Sequence, residues 1–183
     1  MKAKKKDIRA LSREEIRDFF QNTGDKAFRG NQVYEWLWSK GAHHFDDMTN
    51  ISKETRELLS EHFVINHIEV DSIQKSKDGT IKNAVKLFDG LIVESVLIPT
   101  PSRTTACVST QVGCSLDCKF CATARLKKMR NLNPDEIYDQ VKAIDQESKL
   151  YHSRPLSNIV FMGMGEPLMN YNNVLKSIDK ITS

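Results

Sequence analysis

The first third of the chain contains three segments whose apolar residues recur at helical spacing. Ser12 and Glu15 have the spacing of an N-terminal capping box, and the apolar stripe that follows them predicts a helix ending near Gly24. Similar stripes predict a second helix over residues 28–40 and a third that follows Ser52. The stripe of the second helix consists of Val33, Trp36 and Leu37. Short amphipathic helices are stable only when their apolar faces pack together, so we expect a small helical bundle.

The spacing of apolar residues changes from helical to alternating between residues 67 and 103. The alternating stretches, which predict strands, lie at residues 68–73, 81–88 and 91–98. They are separated by two Asp-Gly pairs, at residues 78–79 and 89–90. Such pairs are typical of two-residue hairpin turns because both positions tolerate a positive φ, and they predict an antiparallel meander. Glu94 interrupts the last stretch, and alternation alone does not decide between a solvated carboxylate and a functional one.

The last part of the chain has the pattern of two consecutive strand–loop–helix units. Asn133 is a typical helix cap, with Pro134 at the first helical position. A continuous apolar run at residues 158–162 is typical of a buried parallel strand. The helix after it has three positions that we expect to face the core, Val174, Leu175 and Ile178. Because ligands of parallel α/β folds bind at the carboxyl ends of the strands, we expect the chemistry of this region in the loops.

Composition and charge are those of a soluble globular protein. Of the 183 residues, 39% are hydrophobic and 28% are charged. No run approaches the ~18 apolar residues of a membrane helix. The lysine-rich start is not followed by an apolar segment, so we expect a cytoplasmic protein. The net charge of +3 is compatible with a nucleic-acid partner but does not require one.

Two basic segments are candidates for contact with RNA. The first consists of Lys2, Lys4, Lys5 and Lys6, which form either an RNA-contacting arm or a solvated terminus. The second is the run Arg-Leu-Lys-Lys-Met-Arg at residues 125–130, for which phosphate contact and simple solvation are both open.

All four cysteines lie in one short segment of the chain. Cys107 stands apart, and Cys114, Cys118 and Cys121 follow with spacings of three and two intervening residues. Free cysteines clustered on a loop can converge on one inorganic centre, and they agree with a reducing compartment. A structural zinc ion normally has four protein ligands, whereas three thiolates would leave one iron of an iron–sulfur cluster without a protein ligand. The spacing leaves an iron–sulfur cluster, a zinc site and redox or buried cysteines open.

A second distinctive loop follows the apolar run at residues 158–162. It contains Gly163, Gly165 and Glu166, and a proline comes next. The glycines allow the backbone to approach a ligand closely, and the Glu166 carboxylate can accept a hydrogen bond from an ammonium group.

The two loops together resemble the signature of radical S-adenosylmethionine (SAM) enzymes. The resemblance rests on the Cys-x3-Cys-x2-Cys spacing, on Phe120 directly before the last cysteine, and on the Gly-Glu-Pro loop one strand later. It implies a (β/α) barrel with a [4Fe-4S] cluster and bound SAM, whose hard chemistry is the cofactor's while the protein positions it. The implied cluster ligands are Cys114, Cys118 and Cys121, and the implied SAM contacts are Gly165 and Glu166.

Further motifs narrow the resemblance to the bacterial dual-specificity RNA methyltransferases of the RlmN family. They lie at residues 28–33, 36–37, 45–50, 93–99, 107–114 and 163–170. The resemblance implies methylation of C2 of an adenosine in 23S rRNA and in tRNA, with residues 1–66 as an accessory RNA-binding domain. It also implies a proton acceptor at Glu94, and at Cys107 a thiol that forms a transient disulfide with a second, methyl-carrying cysteine. An electron donor such as flavodoxin and a monomeric state are expected on the same basis.

The sequence departs from the family pattern at its end. No cysteine follows Cys121, and the second strand–loop–helix unit ends at Ser183. We therefore expect a part of a longer enzyme that is inactive alone and exposes apolar surface on its barrel portion. The expected fold is α/β, with a small N-terminal helical domain, an antiparallel β meander and a partial radical SAM barrel at residues 1–66, 67–103 and 104–183.

Two other functions remain open. The related methyltransferases that modify C8 of an adenosine, and so confer resistance to ribosome-targeting antibiotics, share the same motifs. A non-enzymatic RNA-binding module would use the same cysteines to hold structural zinc.

Overall fold

The computed structural model describes residues 5–182. The chain divides into two compact units, residues 1–66 and 67–183. The expectations for Lys2 and Lys4 lie outside the described residues, as does the last residue of the chain. The first unit is mainly helical, and the second is built on a five-stranded sheet.

Over residues 5–66, the first unit contains three α-helices and a short pair of parallel strands. The helices are α1 (Arg13–Asn22), α2 (Phe28–Trp38) and α3 (Lys53–His62), and the strands are β1 (Lys6–Asp7) and β2 (Phe63–Val64). The capping box predicted for α1 is confirmed. The Glu15 N–H donates to Ser12 Oγ over 3.1 Å, and the Ser12 N–H donates to Glu15 Oε2 over 2.7 Å. Gly24 follows the helix with a φ of 81°, as expected after a helix end.

Apolar residues from all three helices form the core of this unit. The largest fully buried side chains of the helices are Ile16, Phe20, Leu37 and Leu59. On α2 the structure differs from the predicted stripe, since Trp38 is buried and Trp36 is only partly buried. Trp36 Nε1 donates to Asn50 Oδ1, and the Lys40 ammonium lies 4.2 Å from the centroid of the Trp36 ring. These polar partners keep one side of the Trp36 ring at the surface.

Helices α1 and α2 approach each other closely at Gly30. A Cβ atom at this position would lie 2.7 Å from both Cα and N of Arg17, so no side chain fits between the two backbones. Glycine weakens a helix interior by about 1 kcal/mol relative to alanine, and this contact explains why α2 contains one.

The second unit contains seven strands and two long helices. The strands are β3 (Glu69–Lys75), β4 (Ile81–Lys86), β5 (Ile92–Pro99), β6 (Thr104–Cys107), β7 (Gln111–Val112), β8 (Arg130–Asn131) and β9 (Asn158–Val160), and the helices are α4 (Pro134–His152) and α5 (Tyr171–Ile181). Five strands form one sheet in the order β3-β4-β5-β6-β9, while β7 and β8 form a separate two-stranded ribbon. The pairings from β3 to β6 are antiparallel, which confirms the predicted meander, and β6 pairs with β9 in parallel. The last strand of the meander, β5, pairs directly with β6, the strand that leads into the cysteine loop.

The two Asp-Gly turns of the meander are three-residue loops, not the predicted two-residue turns. In the first, the Ser76 N–H donates to the Thr80 carbonyl over 2.9 Å; in the second, the Leu87 N–H donates to the Leu91 carbonyl over 2.8 Å. Each turn has a single residue with positive φ, the glycine, at 87° and 82°. A tight two-residue turn of the Asp-Gly kind needs two such residues, whereas a three-residue hairpin loop needs one.

One face of the sheet packs against α4 and forms the core of the second unit. Val93, Leu97 and Ala106 are fully buried on this face and belong to one apolar cluster with Ile137 and Ile144 of α4. The predicted start of α4 is confirmed, with proline at its first position. The opposite face of the sheet carries large apolar side chains that are exposed, Ile92 and Ile98.

Two expectations for the end of the chain are wrong in detail. The parallel direction of β9 is confirmed, but β9 is an edge strand whose residues are only partly buried, and Met162 after it is 79% exposed. In α5, Val174 is buried while Leu175 is 42% exposed, because adjacent residues of a helix point about 100° apart. No helix within residues 5–182 is long and apolar enough to cross a membrane.

We predict that Gly30→Ala destabilises the first unit by about 1–3 kcal/mol, because the added methyl group overlaps the α1 backbone. The matched control is Asn31→Ala at the neighbouring exposed position, which should stabilise α2 by about 0.5 kcal/mol. Urea unfolding followed by circular dichroism measures both changes. A Gly30→Ala protein as stable as the wild type would contradict the close packing of α1 on α2.

Candidate functional site

The loops that follow β6 and β9 lie side by side at one edge of the sheet. The two strands are parallel neighbours, so their carboxyl ends meet at the same place. Beyond the strands the backbones stay in contact, since the Gly163 N–H donates to the Val108 carbonyl over 3.0 Å. The Thr110 N–H likewise donates to the Met164 carbonyl over 2.8 Å. The chain leading into the cysteine loop is thereby fixed against the loop that contains Gly165 and Glu166.

Glycine is required at two of the positions where this second loop contacts the first. A Cβ atom on Gly163 would lie 2.7 Å from the Val108 carbonyl oxygen, and one on Gly165 would lie 2.5 Å from Gln111 Cβ. Gly165 also has a φ of 93°, a conformation that other residues rarely adopt. The close backbone approach expected of these glycines is therefore used, at least in part, to pack one loop on the other.

Glu166 lies at the start of a short 3-10 helix, Pro167–Asn170. Its Oε1 accepts a hydrogen bond from the Leu168 N–H over 3.1 Å, and its own N–H donates to Gln111 Oε1 over 3.0 Å. The side chain is half-buried. The carboxylate is thus held by the backbone at the strand edge while part of it stays accessible.

The ribbon of β7 and β8 closes the neck of the cysteine loop. Gln111 pairs with Asn131 and Val112 pairs with Arg130, so the residues between them form one excursion that begins and ends at the same place. A further bridge joins residues 114 and 127 just outside the ribbon. Gly113 adopts a φ of 72°, and a Cβ atom there would overlap the carbonyl group of residue 127.

Arg130 anchors the end of the cysteine loop to the rest of the unit. Its guanidinium makes two hydrogen bonds of 2.7 Å to the buried Glu136 carboxylate and one of 2.6 Å to Asp89. Burial alone would lower the pKa of Arg130, but the bonds to Glu136 and Asp89 raise it above its ordinary value. Arg130 therefore belongs to a partly buried ion cluster, whereas its place in a basic run left phosphate contact and simple solvation open.

The three cysteines of the motif share this loop as free, half-buried thiols. Hydrogen bonds from the backbone N–H groups of Ala124 and Thr123 lower the pKa of the Cys121 thiol. Within residues 5–182, no three His, Cys, Asp or Glu side chains are gathered closely enough to hold a metal ion, so the loop brings the cysteines into one segment without converging their sulfurs. As a donor set, three free thiols fit a [4Fe-4S] cluster with one open iron better than a four-ligand zinc site.

Glu94 and Cys107 lie on the same face of the sheet, opposite α4. Cys107 pairs with Val96, and Glu94 is two residues from Val96 on β5, so both side chains point to one side. The Glu94 carboxylate is about half exposed and accepts a hydrogen bond of 2.8 Å from Lys82 Nζ. Burial raises the pKa of the Cys107 thiol. Neither residue belongs to the cysteine loop itself, so the site spans the strand ends and the open sheet face.

A buried polar network that sequence analysis missed connects these parts. Ser109 Oγ donates to the Glu94 carbonyl over 2.5 Å and accepts from the Met164 N–H over 2.8 Å. Gln140 of α4 accepts from the Ser109 N–H over 2.9 Å and donates to its carbonyl over 3.2 Å. Apart from their place between Cys107 and Cys114, no pattern in the sequence marks residues 109–111 as buried.

Comparison with known protein families identifies two regions of the chain. Residues 6–65 match the ribosomal RNA large subunit methyltransferase N-terminal domain, and residues 108–181 match the radical SAM superfamily. Each region lies within one of the two compact units.

Curated relatives match over almost the whole chain. A probable dual-specificity RNA methyltransferase RlmN from Flavobacterium psychrophilum is 78% identical over 183 residues, which is 100% of this chain and 53% of that protein. A dual-specificity RNA methyltransferase RlmN from Syntrophus aciditrophicus is 46% identical over 97% of this chain and 50% of its own length.

A solved structure shows the same fold. The crystal structure of a radical SAM methyltransferase from Sphaerobacter thermophilus is 33% identical, with a TM-score of 0.83 over 97% of this chain and 52% of that one. The chain thus spans about half the length of the proteins that it matches. On these matches, the chain belongs to the RlmN family of the radical SAM superfamily.

Proposed function

We propose that this chain is the cluster-bearing part of a radical SAM methyltransferase that modifies C2 of an adenosine in 23S rRNA and in tRNA. The observation that carries the proposal is the contact between the cysteine loop and the Gly165–Glu166 loop at the carboxyl ends of β6 and β9. A cofactor held between these loops would touch the cluster and the Glu166 carboxylate together. The complete reaction belongs to the longer protein, since the chain covers about half of its relatives.

Each loop has a distinct role in this proposal. Cys114, Cys118 and Cys121 ligate the [4Fe-4S] cluster, and the Gly165 backbone and the Glu166 carboxylate bind the amino group of SAM. When bound, the cluster and SAM together would supply the radical that activates an otherwise unreactive methyl group. The protein's own contribution is to hold the cofactor in one orientation relative to the open iron.

Glu94 and Cys107 act from the open face of the sheet. Glu94 accepts the proton removed from the modified base, and its hydrogen bond with Lys82 keeps the carboxylate on that face. Cys107 releases the product once its thiol has lost a proton. Its thiolate bonds to the sulfur of the second cysteine while the bond from that sulfur to the carbon attached to the base breaks, and the carbon keeps the electron pair and takes up a proton to become the methyl group. The four cysteines of this chain are Cys107 and the loop cysteines, so the second cysteine belongs to the remainder of the longer protein.

RNA and a reducing protein are the proposed partners. Arg125 and Lys127 are exposed, Lys128 is half-buried, and none of the three is ion-paired within residues 5–182. Arg130, by contrast, is occupied by Glu136 and Asp89. The three available cations belong to the cysteine loop, between β7 and β8, and can contact RNA phosphates. A flavodoxin-like donor would reduce the cluster, in a monomeric cytoplasmic enzyme.

The alternatives have less support. The relatives named RlmN favour C2 over C8 as the modified atom. A structural zinc site is disfavoured by the three-thiol donor set and by the match of residues 108–181 to the radical SAM superfamily.

Cluster assembly is the first test of the proposal. After anaerobic reconstitution, we expect about four irons and four sulfides per chain, and an EPR signal of the reduced protein that changes when SAM is added. Cys118→Ser should lose the cluster, while Cys107→Ser, the matched control, should retain it. Uptake of one zinc and no iron, or equal iron in both variants, would contradict the assignment.

We predict that alkylation of the Cys107 thiol requires a higher pH in the folded protein than in the unfolded chain. The thiolate is the reactive form, and burial raises the pKa of Cys107, so its thiolate fraction rises at a higher pH in the folded protein than in the unfolded chain. Iodoacetamide labelling across a pH series, with mass spectrometry of the Cys107 peptide, measures the shift. The same peptide labelled in denaturant is the reference, and identical profiles in both states would show that folding does not protect the thiol.

The salt dependence of RNA binding tests the basic surface. Neutralising Arg125, Lys127 and Lys128 with glutamine should lower the slope of log K against log salt by about 2, since each phosphate contact contributes about 0.7–0.9. Lys142, Lys149 and Lys176 on α4 and α5 provide a control of equal charge, for which we expect no change beyond about 0.5. Fluorescence anisotropy with an RNA stem-loop measures both slopes. Equal slopes for the two triple variants would exclude a specific phosphate contact at the cysteine loop.

A further inference from the structure

Gln111 occupies the junction between the two loops of the candidate site. It is fully buried in β7, three residues before Cys114, and it faces Asn131 across the ribbon that closes the cysteine loop. Its Oε1 accepts from the Glu166 N–H over 3.0 Å, and its Nε2 donates to Asn131 Oδ1 over 2.8 Å. One side chain therefore contacts both the neck of the cysteine loop and the backbone of Glu166.

The hydrogen bonds continue from Asn131 back to the second loop. Asn131 Nδ2 donates to the Met169 carbonyl over 3.2 Å. The side-chain amides of Gln111 and Asn131 thus form a chain of hydrogen bonds from the Glu166 N–H to the Met169 carbonyl. This chain connects both ends of the short 3-10 helix to the neck of the cysteine loop. The helix itself, Pro167–Asn170, begins directly after Glu166.

Only an amide at position 111 satisfies both neighbours. The Glu166 N–H can only donate and the Met169 carbonyl can only accept, so the direction of every bond in the chain is set by its two ends. A methionine at position 111 would leave two polar groups without these partners, and a glutamate would present an acceptor to the Asn131 oxygen.

The backbone around Gln111 is equally constrained. The Gln111 N–H donates to the Met164 carbonyl over 3.2 Å, and the space above its Cβ is filled by Gly165. Because Gly165 packs directly on Cβ and Cγ of Gln111, a change at position 111 should be transmitted to Gly165 and Glu166.

We propose that Gln111 is a positioning residue that sets the distance between the cysteine loop and the SAM-binding residues Gly165 and Glu166. The inference rests on the proposed function for its link to SAM, while the coupling of the two loops depends on the hydrogen bonds alone. Gln111 does not contact the reacting atoms. It fixes where Glu166 lies relative to the three cysteines.

The test compares Gln111→Met with a matched variant, Asn83→Leu. Asn83 is also fully buried, but it lies on β4 and donates to Glu147 over 2.8 Å, away from the strand ends. Both variants remove one buried amide, so both should lose stability. Only Gln111→Met should raise the hydrogen exchange rate of the Glu166 amide, by about tenfold or more, as measured by NMR without cofactor.

The second readout is the response of the reconstituted cluster to SAM. We expect the iron content and the EPR signal without SAM to equal those of the wild type in both variants. The SAM concentration that gives half of the EPR change should rise about tenfold or more in Gln111→Met and should not change in Asn83→Leu. A purely structural role would change both variants alike.

The outcomes separate the inference from the proposed function. The proposed cofactor site is contradicted if the wild-type protein takes up no iron or if its EPR signal does not change when SAM is added. In that case the hydrogen exchange rate of the Glu166 amide still decides whether Gln111 couples the two loops. Wild-type exchange at Glu166 in Gln111→Met, or unchanged SAM affinity, overturns the inference. If the methionine variant does not fold, Gln111→Glu decides in its place, with a fall in affinity of about threefold as support and wild-type affinity as refutation.

Discussion

The parallel pairing of β6 with β9 is the constraint on which the candidate site depends. An antiparallel neighbour would have sent the second loop to the opposite edge of the sheet, whereas a parallel strand returns it to the edge from which the cysteine loop leaves. The helix α4 makes this return possible, because a parallel connection needs a crossover, and its burial against β5 and β6 fixes the direction of both strands. The sequence motifs determine which residues the two loops contain, and the topology of the sheet brings the loops together.

Buried hydrogen bonds determine the relative position of the two loops, and the apolar core stabilises the unit that holds them. Ser109, Gln111 and Gln140 are all fully buried, and each bonds to backbone groups of a neighbouring segment. A buried amide that lost one partner would cost more free energy than the bond contributes, so such a network admits few alternative arrangements. An apolar residue at the same positions would tolerate sliding of one loop on the other. The network thus makes the relative position of the loops a defined property of the fold.

The parts of the fold that could be predicted are those set by local chemistry. The capping box at Ser12, the meander and the parallel direction of β9 all follow from spacing or residue type over a few positions. The misassigned features depend on distant partners. Leu175 is exposed because the core lies on the side of its neighbour Val174. Arg130 is ion-paired and only partly exposed because Glu136 of α4 and Asp89 of the second Asp-Gly turn converge on it.

The candidate site follows the same division. The cysteine spacing and the Gly-Glu-Pro loop can be identified in the sequence, since they are short and unusual. Gln111 lies within the motif at residues 107–114, but its contacts with Asn131 and Glu166 cannot be predicted from that motif, because these two residues are distant in the chain and meet through the strand pairing. Tertiary contacts of this kind leave no periodic signal in the sequence.

The cysteine loop combines a fixed neck with a tip that does not gather its sulfurs. The neck is held by the ribbon of β7 and β8 and by Arg130, whereas residues 115–117 and 119–120 of the tip are exposed. Three thiolates held together without a metal would repel one another, so a loop that converged them in advance would be less stable than one that does not. In the proposed function, metal binding would supply the free energy of this convergence, as in other sites where ligation and local folding are coupled. The strand pairing and the Arg130 ion pair hold the neck, so such a rearrangement would be confined to the tip.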